Sequence, residues 1–185
     1  MHEVTVPGEE PEQDPLDDAQ AALAAAVLEM FRYVGTDALP RPRCFALVAT
    51  GAMLRDQPAF AQLLDEATIE AAESDPHHVT AIEVEAGEES DPVQALARMT
   101  WPTDVAGAAI VCDLSSEHWM SGPSAPGAAE RIGDGALRAV TAALVEGTTW
   151  SAVRGDQHED LLMGASLLPD ITDALASSLE EPEAS

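Results

Sequence analysis

Lysine and asparagine are missing from this chain, and its cations are eight arginines set against 34 carboxylates, a formal net charge of −26 over 185 residues. Without lysine there is no Schiff-base chemistry and no lysine-linked cofactor. With so few cations, binding along a DNA or RNA backbone is disfavoured, because each phosphate contact needs a positive group to displace counterions. Anionic membrane surfaces are disfavoured on the same ground. A basic peptide or a basic protein face suits such a charge better.

Long apolar runs are missing too. Ala21–Leu28 and Val105–Cys112 fall far short of the ~20 residues a membrane span needs. The first residues carry no positive stretch, so no secretory signal is expected and the chain reads as soluble and cytoplasmic. Two cysteines, Cys44 and Cys112, make neither a disulfide framework nor a zinc site. Both fall in expected core strands, where a thiol behaves as a small hydrophobe rather than a nucleophile. Aromatic residues are only 4% of the chain, so Leu, Val and Ile supply most of the core and alanine allows close helix–sheet contact. The motifs of serine hydrolases, zinc proteases, P-loop enzymes and dinucleotide-binding enzymes are absent as well. No cofactor is expected, and the balance leans away from an enzyme.

What remains is a clear pattern of elements. Residues 1–13 are polar and unpatterned and read as a disordered acidic tail, residues 14–180 as a single domain, and residues 181–185 as a frayed tail. Asp14-Pro15 is a helix start signal, followed by an apolar stripe of Leu16, Leu23, Val27, Met30 and Val34 and a stop at Gly35. Residues 43–49 and 78–85 read as strands, and 52–67 as a helix broken near Pro58 with Phe60, Leu63 and Leu64 facing inward. Asp91-Pro92-Val93-Gln94 starts a short helix over 92–99, which Trp101-Pro102 ends. Residues 105–114 make a central strand and 115–135 a long Ser/Gly/Pro loop. Residues 137–145 and 148–154 flank Glu146-Gly147 as a hairpin, with a helix over 136–145 as the competing reading. Leu168-Pro169-Asp170 opens a last helix. The expected fold class is α+β: a mainly antiparallel sheet of about five strands with N- and C-terminal helices packed on one face, similar in outline to small secretion chaperones.

The densest polar cluster is Arg154-Gly155-Asp156-Gln157-His158-Glu159-Asp160. Asp156, His158 and Asp160 have the spacing that begins a calcium loop, but Leu161 and Leu167 stand where that loop needs Gly and Glu. An acidic loop pairing with Arg154 is the plainer reading, and no metal site is assigned. His77-His78 and His118 read as solvated turns. Trp101, Pro102, Arg154, Asp156, His158 and Asp160 are the candidate binding residues, with closure of the core edge as the plainer role for Trp101.

Three strings taken together carry a resemblance: residues 43–48 (RCFALV), residues 101–107 (WPTDVAG), and Arg154-Gly155 through Glu159-Asp160-Leu161-Leu162 and Gly164 to Leu168-Pro169. Over roughly residues 15–180 the chain resembles a family of small acidic actinobacterial proteins of unknown function, often encoded near a PDZ-containing Lon-like protease. The long loop 115–135 and the fewer acids at 156–160 depart from that pattern. The resemblance implies no catalytic residue.

Two functional readings follow. One is a non-enzymatic, chaperone-like interaction module, often dimeric, that binds a basic or amphipathic protein segment. The other is a metal-dependent hydrolase built on Asp156, His158 and Asp160. The acidity is also segregated: residues 1–31, 56–97 and 155–185 hold 27 of the 34 acids and no base. Residues 32–55 instead carry Arg32, Arg41, Arg43 and Arg55 against Asp37 alone. The expectation for this arginine island is pairing with the acidic segments around it.

Overall fold

The structure is a computed structural model, and it describes residues 17–35, 37–114, 137–155, 161–165 and 167–180. The chain runs α1 (Asp18–Val34), β1 (Arg43–Ala49), α2 (Thr50–Asp56), a 3₁₀ turn (Pro58–Leu63), α3 (Glu66–Ser74), β2 (Val79–Val84) and α4 (Pro92–Ala97). It continues through β3 (Gly107–Leu114), β4 (Leu137–Leu144), β5 (Thr149–Gly155), β6 (Leu161–Gly164) and α5 (Pro169–Leu179). The strands form one six-stranded sheet in the order β2-β1-β3-β4-β5-β6, antiparallel at every pairing. The α+β class and the terminal helices on an antiparallel sheet are as expected, with β6 as an additional edge strand.

Burial explains the layering. In β3, Ala108, Ile110, Cys112 and Leu114 point to one side and Ala109 and Val111 to the other, and all are buried. A strand apolar on both faces needs cover on both. Leu23, Val27, Met30 and Phe31 of α1 cover one face, against Phe45, Val111, Val140 and Ala152. Leu96 of α4 and Ile171 and Leu175 of α5 cover the other, against Cys44, Ile110, Ala139 and Val153. Helices on one face only was therefore the wrong expectation, and the domain has three layers.

Alanine does the close fitting. Ala108, Ala109, Ala139, Ala142, Ala143 and Ala152 are fully enclosed at the sheet centre, where small side chains let helices approach. Gly107 marks the tightest point, since a Cβ there would lie 2.2 Å from the Ala143 carbonyl oxygen across the β3–β4 pairing.

A charged clamp ties α1 to this sheet. Arg138 at the start of β4 is nearly buried and donates from Nε to Asp113 Oδ1 at 2.6 Å. Its other nitrogens donate to the carbonyls of Gly35 at 2.7 Å and Asp37 at 2.5 Å. Asp113 Oδ2 in turn accepts the Leu39 amide at 2.8 Å. One ion pair thus satisfies the backbone of the segment leaving α1, whose stop is Gly35 at φ 75°.

Several local expectations change. The cap of α1 is Asp17, which forms a reciprocal capping box with Gln20; Asp14 lies outside the described residues. In the region 52–67 the expected break near Pro58 is present, between α2 and the 3₁₀ turn, and a second break precedes α3, which Asp65 caps through the Thr68 amide at 2.7 Å. Leu63 is 77% exposed because the 3₁₀ turn rotates it outward, while Phe60 and Leu64 are half-buried. The hairpin β4–β5 replaces the competing helix over 136–145. The 115–135 loop lies outside the described residues.

Two outcomes test this packing. Gly107→Ala is expected to destabilise the domain by about 2–3 kcal/mol in urea unfolding, because the intruding methyl meets backbone rather than a flexible side chain. Arg138→Met is expected to cost about 3 kcal/mol by leaving Asp113 and the Gly35 and Asp37 carbonyls without their partner, with much of that recovered in the Arg138→Met/Asp113→Leu double variant.

Candidate functional site

The structure separates the candidate binding residues. Trp101 is half-buried against the α5 side of the sheet, where its indole N–H donates to Ser178 Oγ at 2.9 Å. It closes the core edge there, and Pro102 beside it is exposed. Arg154 is on the opposite face, its guanidinium 5.5 Å from the centre of the Phe31 ring of α1. Trp101 and Arg154 therefore do not share a site. Asp156, His158, Asp160 and His118 lie outside the described residues. Among the described residues no group of three or more His, Cys, Asp or Glu is arranged to hold a metal ion.

A different place gathers functional side chains. A groove of about 310 Å³ runs between α1, β2 and the segment entering α3. Met30, Phe45 and Leu64 line it with apolar surface, and Glu29 and Glu83 add two carboxylates. Among the described residues no arginine contributes to its lining. Tyr33, 66% exposed, stands at its mouth with its ring edge-on to Phe45, centroids 6.0 Å apart.

Beside the groove lies a compact polar seam. Arg43 donates from Nε to Glu83 Oε2 at 2.8 Å and from Nη2 to Oε1 at 2.5 Å, a two-point pairing of β1 with β2. The same guanidinium lies 5.3 Å from the Tyr33 ring centre and 6.0 Å from that of Phe45. The Arg43 hydrogen bonds hold the Glu83 carboxyl below its usual range, and the same bonds raise Arg43. This pairing is the role expected for the arginine island, at Arg43. Arg32, Arg41 and Arg55 are exposed.

The start of β2 is pinned by Thr50, whose hydroxyl is 2.8 Å from His78 Nδ1 and 2.7 Å from Thr80 Oγ1. Thr50 is fully buried and its amide donates to the His78 carbonyl at 3.0 Å. His78 is thus half-buried and hydrogen-bonded, not a solvated turn residue, because the first residue of α2 folds back onto it. His77 does stay exposed. The groove residues escaped the sequence reading because they come from four separate segments with no shared motif. The Asp65 cap signal ahead of α3 was the one available clue to its wall.

The thiols offer no chemistry here. Cys44 and Cys112 are free and buried on the adjacent strands β1 and β3, and burial pushes each thiol up to about 12. That disfavours the thiolate a nucleophile requires.

Glu83 yields a pH-dependent outcome. A carboxyl lowered in the folded state stabilises fully above its unfolded value near 4.3, and that stability is lost as pH falls through the folded value. Both side chains are partly solvated, so Glu83→Gln is expected to cost under about 1 kcal/mol at pH 7. Its unfolding curve should merge with that of the parent in strong acid.

No curated protein and no solved structure matches the chain. A family match does exist and spans residues 23–180, from the first turns of α1 to the end of α5. By that match the chain belongs to the PPA1309-like protein family.

Proposed function

We propose that the protein is a non-enzymatic, chaperone-like interaction module that takes a basic or amphipathic segment of a partner protein into the groove between α1, β2 and α3. The observation carrying this reading is the groove lining, which combines Met30, Phe45 and Leu64 with Glu29 and Glu83 and, among the described residues, includes no arginine. An amphipathic segment buries its apolar side chains on such a surface at roughly 25 cal/mol per Å². Its cations meet the carboxylates, which speeds encounter and selects against acidic competitors. The chain-wide charge of −26 extends the same attraction beyond the groove.

Titration calorimetry with an amphipathic lysine/leucine peptide tests this. Binding is expected at low ionic strength and should weaken as salt is raised. Glu29→Lys should lower the affinity about two- to fivefold, the scale of an exposed charge pair. Affinity indifferent to both salt and Glu29→Lys would sink the proposal.

A further inference from the structure

We infer that the partner segment binds as an added β-strand on the free edge of β2, pairing its backbone with Ala81 and Glu83 while alternate side chains enter the groove. This rests on the interaction role proposed above and specifies its geometry.

The edge is defined by hydrogen-bond parity. Among the described residues β2 pairs with β1 alone and ends the sheet. The Thr50 amide donates to the His78 carbonyl, so position 78 addresses β1. In an antiparallel pair such residues alternate, which turns Thr80, Ile82 and Val84 toward β1 and Val79, Ala81 and Glu83 away from it. On the far side of β1, Leu47 accepts the Ala106 amide, so its odd-numbered residues address β3 and its even-numbered ones address β2, the same parity. Val79 is buried, which leaves the backbones of Ala81 and Glu83 as the open part of the edge.

The groove lies along this same stretch. Val79, Ala81 and Glu83 all line it, and so do Met30 and Phe45 beneath. An extended segment on the edge would send every second side chain onto that floor and the others past Ile82, which is 41% exposed on the opposite face. Strand addition draws affinity from main-chain hydrogen bonds and specificity from the pocket for alternate side chains.

Charge decides the occupant. A second copy of the chain would bring Glu83 and Glu85 against their own counterparts, with −26 on each molecule. A segment whose groove-facing residues, every second one along it, are in turn apolar and basic instead sets apolar groups on Met30 and Phe45 and cations near Glu29 and Glu83. The occupant is therefore a basic segment of another protein whose every second residue is in turn apolar and basic.

The probe is the octapeptide Val-Val-Lys-Lys-Val-Val-Lys-Lys, which turns both valine and lysine to each face when extended, followed by calorimetry and by amide exchange. Binding is expected to slow exchange at the Ala81 and Glu83 amides. N-methylation of alternate peptide amides should weaken binding at least tenfold in one register and little in the other, since the removed hydrogen bonds are each worth about two- to tenfold. On the protein, Ala81→Pro deletes an edge donor without touching a β1–β2 bond and should abolish binding with the circular dichroism spectrum retained. Should Ala81→Pro fail to fold, the methylated peptides carry the test. Equal weakening in both registers, or equal binding by a helix-forming peptide of the same composition, overturns strand addition while leaving the interaction role intact. Failure of both peptides to bind overturns both. A dimer in sedimentation that the peptide does not disperse assigns the edge to a second copy and also overturns the inference.

Discussion

Strands β1, β3, β4 and β5 bury side chains on both of their faces, so neither side of the sheet can be left to water and each must be roofed by helix. That requirement fixes where α1 and α5 go, and it sets the residue types between them. A three-layer core in a chain this poor in aromatics depends on close approach rather than bulk. Hence the enclosed alanines of β3, β4 and β5, and hence Gly107 where the β3–β4 pairing leaves no room for a methyl. The Arg138–Asp113 pair belongs to the same constraint. The chain leaves α1 on one face and must enter the sheet at β1, and the pair hydrogen-bonds the turning backbone that would otherwise be dry and unsatisfied.

The edge strand β2 departs from this regime. Its burial falls from Val79 to a half-exposed or exposed remainder, and α1 reaches over only part of it. An edge strand with an open ladder is a hazard that proteins manage with charge, prolines or cover. Here Glu83 and Glu85 on or just past the strand supply like charge against self-pairing. Charge of that kind repels a copy of the same chain and attracts a basic one, so the device that suppresses aggregation also selects a partner.

How much of this was legible in the sequence depended on what each segment had to say locally. β3 was plain because a strand buried on both faces writes itself as an unbroken apolar run. The β4–β5 hairpin was legible through Thr148, Thr149 and Trp150 despite the helix-favouring alanines before the turn. α3 was not, because nine residues rich in Glu and Ala carry one buried side chain, Ala72, and no stripe. β6 was hidden by its brevity, and the second roofed face by the fact that periodicity reports burial but not which neighbour provides it. The groove was the least legible feature. Glu29, Phe45, Leu64 and Glu83 are far apart in the chain, and only the sheet order brings them together.

The segregated charge takes on a structural meaning in this light. Arg43 joins β1 to β2 through Glu83, Arg98 meets Glu89 ahead of α4, Arg138 joins β4 to the α1 exit, and Arg154 stacks over Phe31 of α1. Arg32 and Arg55 sit in the last turns of α1 and α2, where a cation complements the helix dipole. Most of these arginines are thus tied to seams and helix ends, where they offset carboxylates or carbonyls of the same fold. Among the described residues the acids outnumber them and most are exposed. A cation arriving from outside therefore meets few competing arginines, and at the groove it meets two carboxylates beside apolar surface, of which Glu83 is already engaged by Arg43. That leaves Glu29 as the carboxylate with most to gain from a partner, and places the electrostatic part of recognition on α1 rather than on the strand.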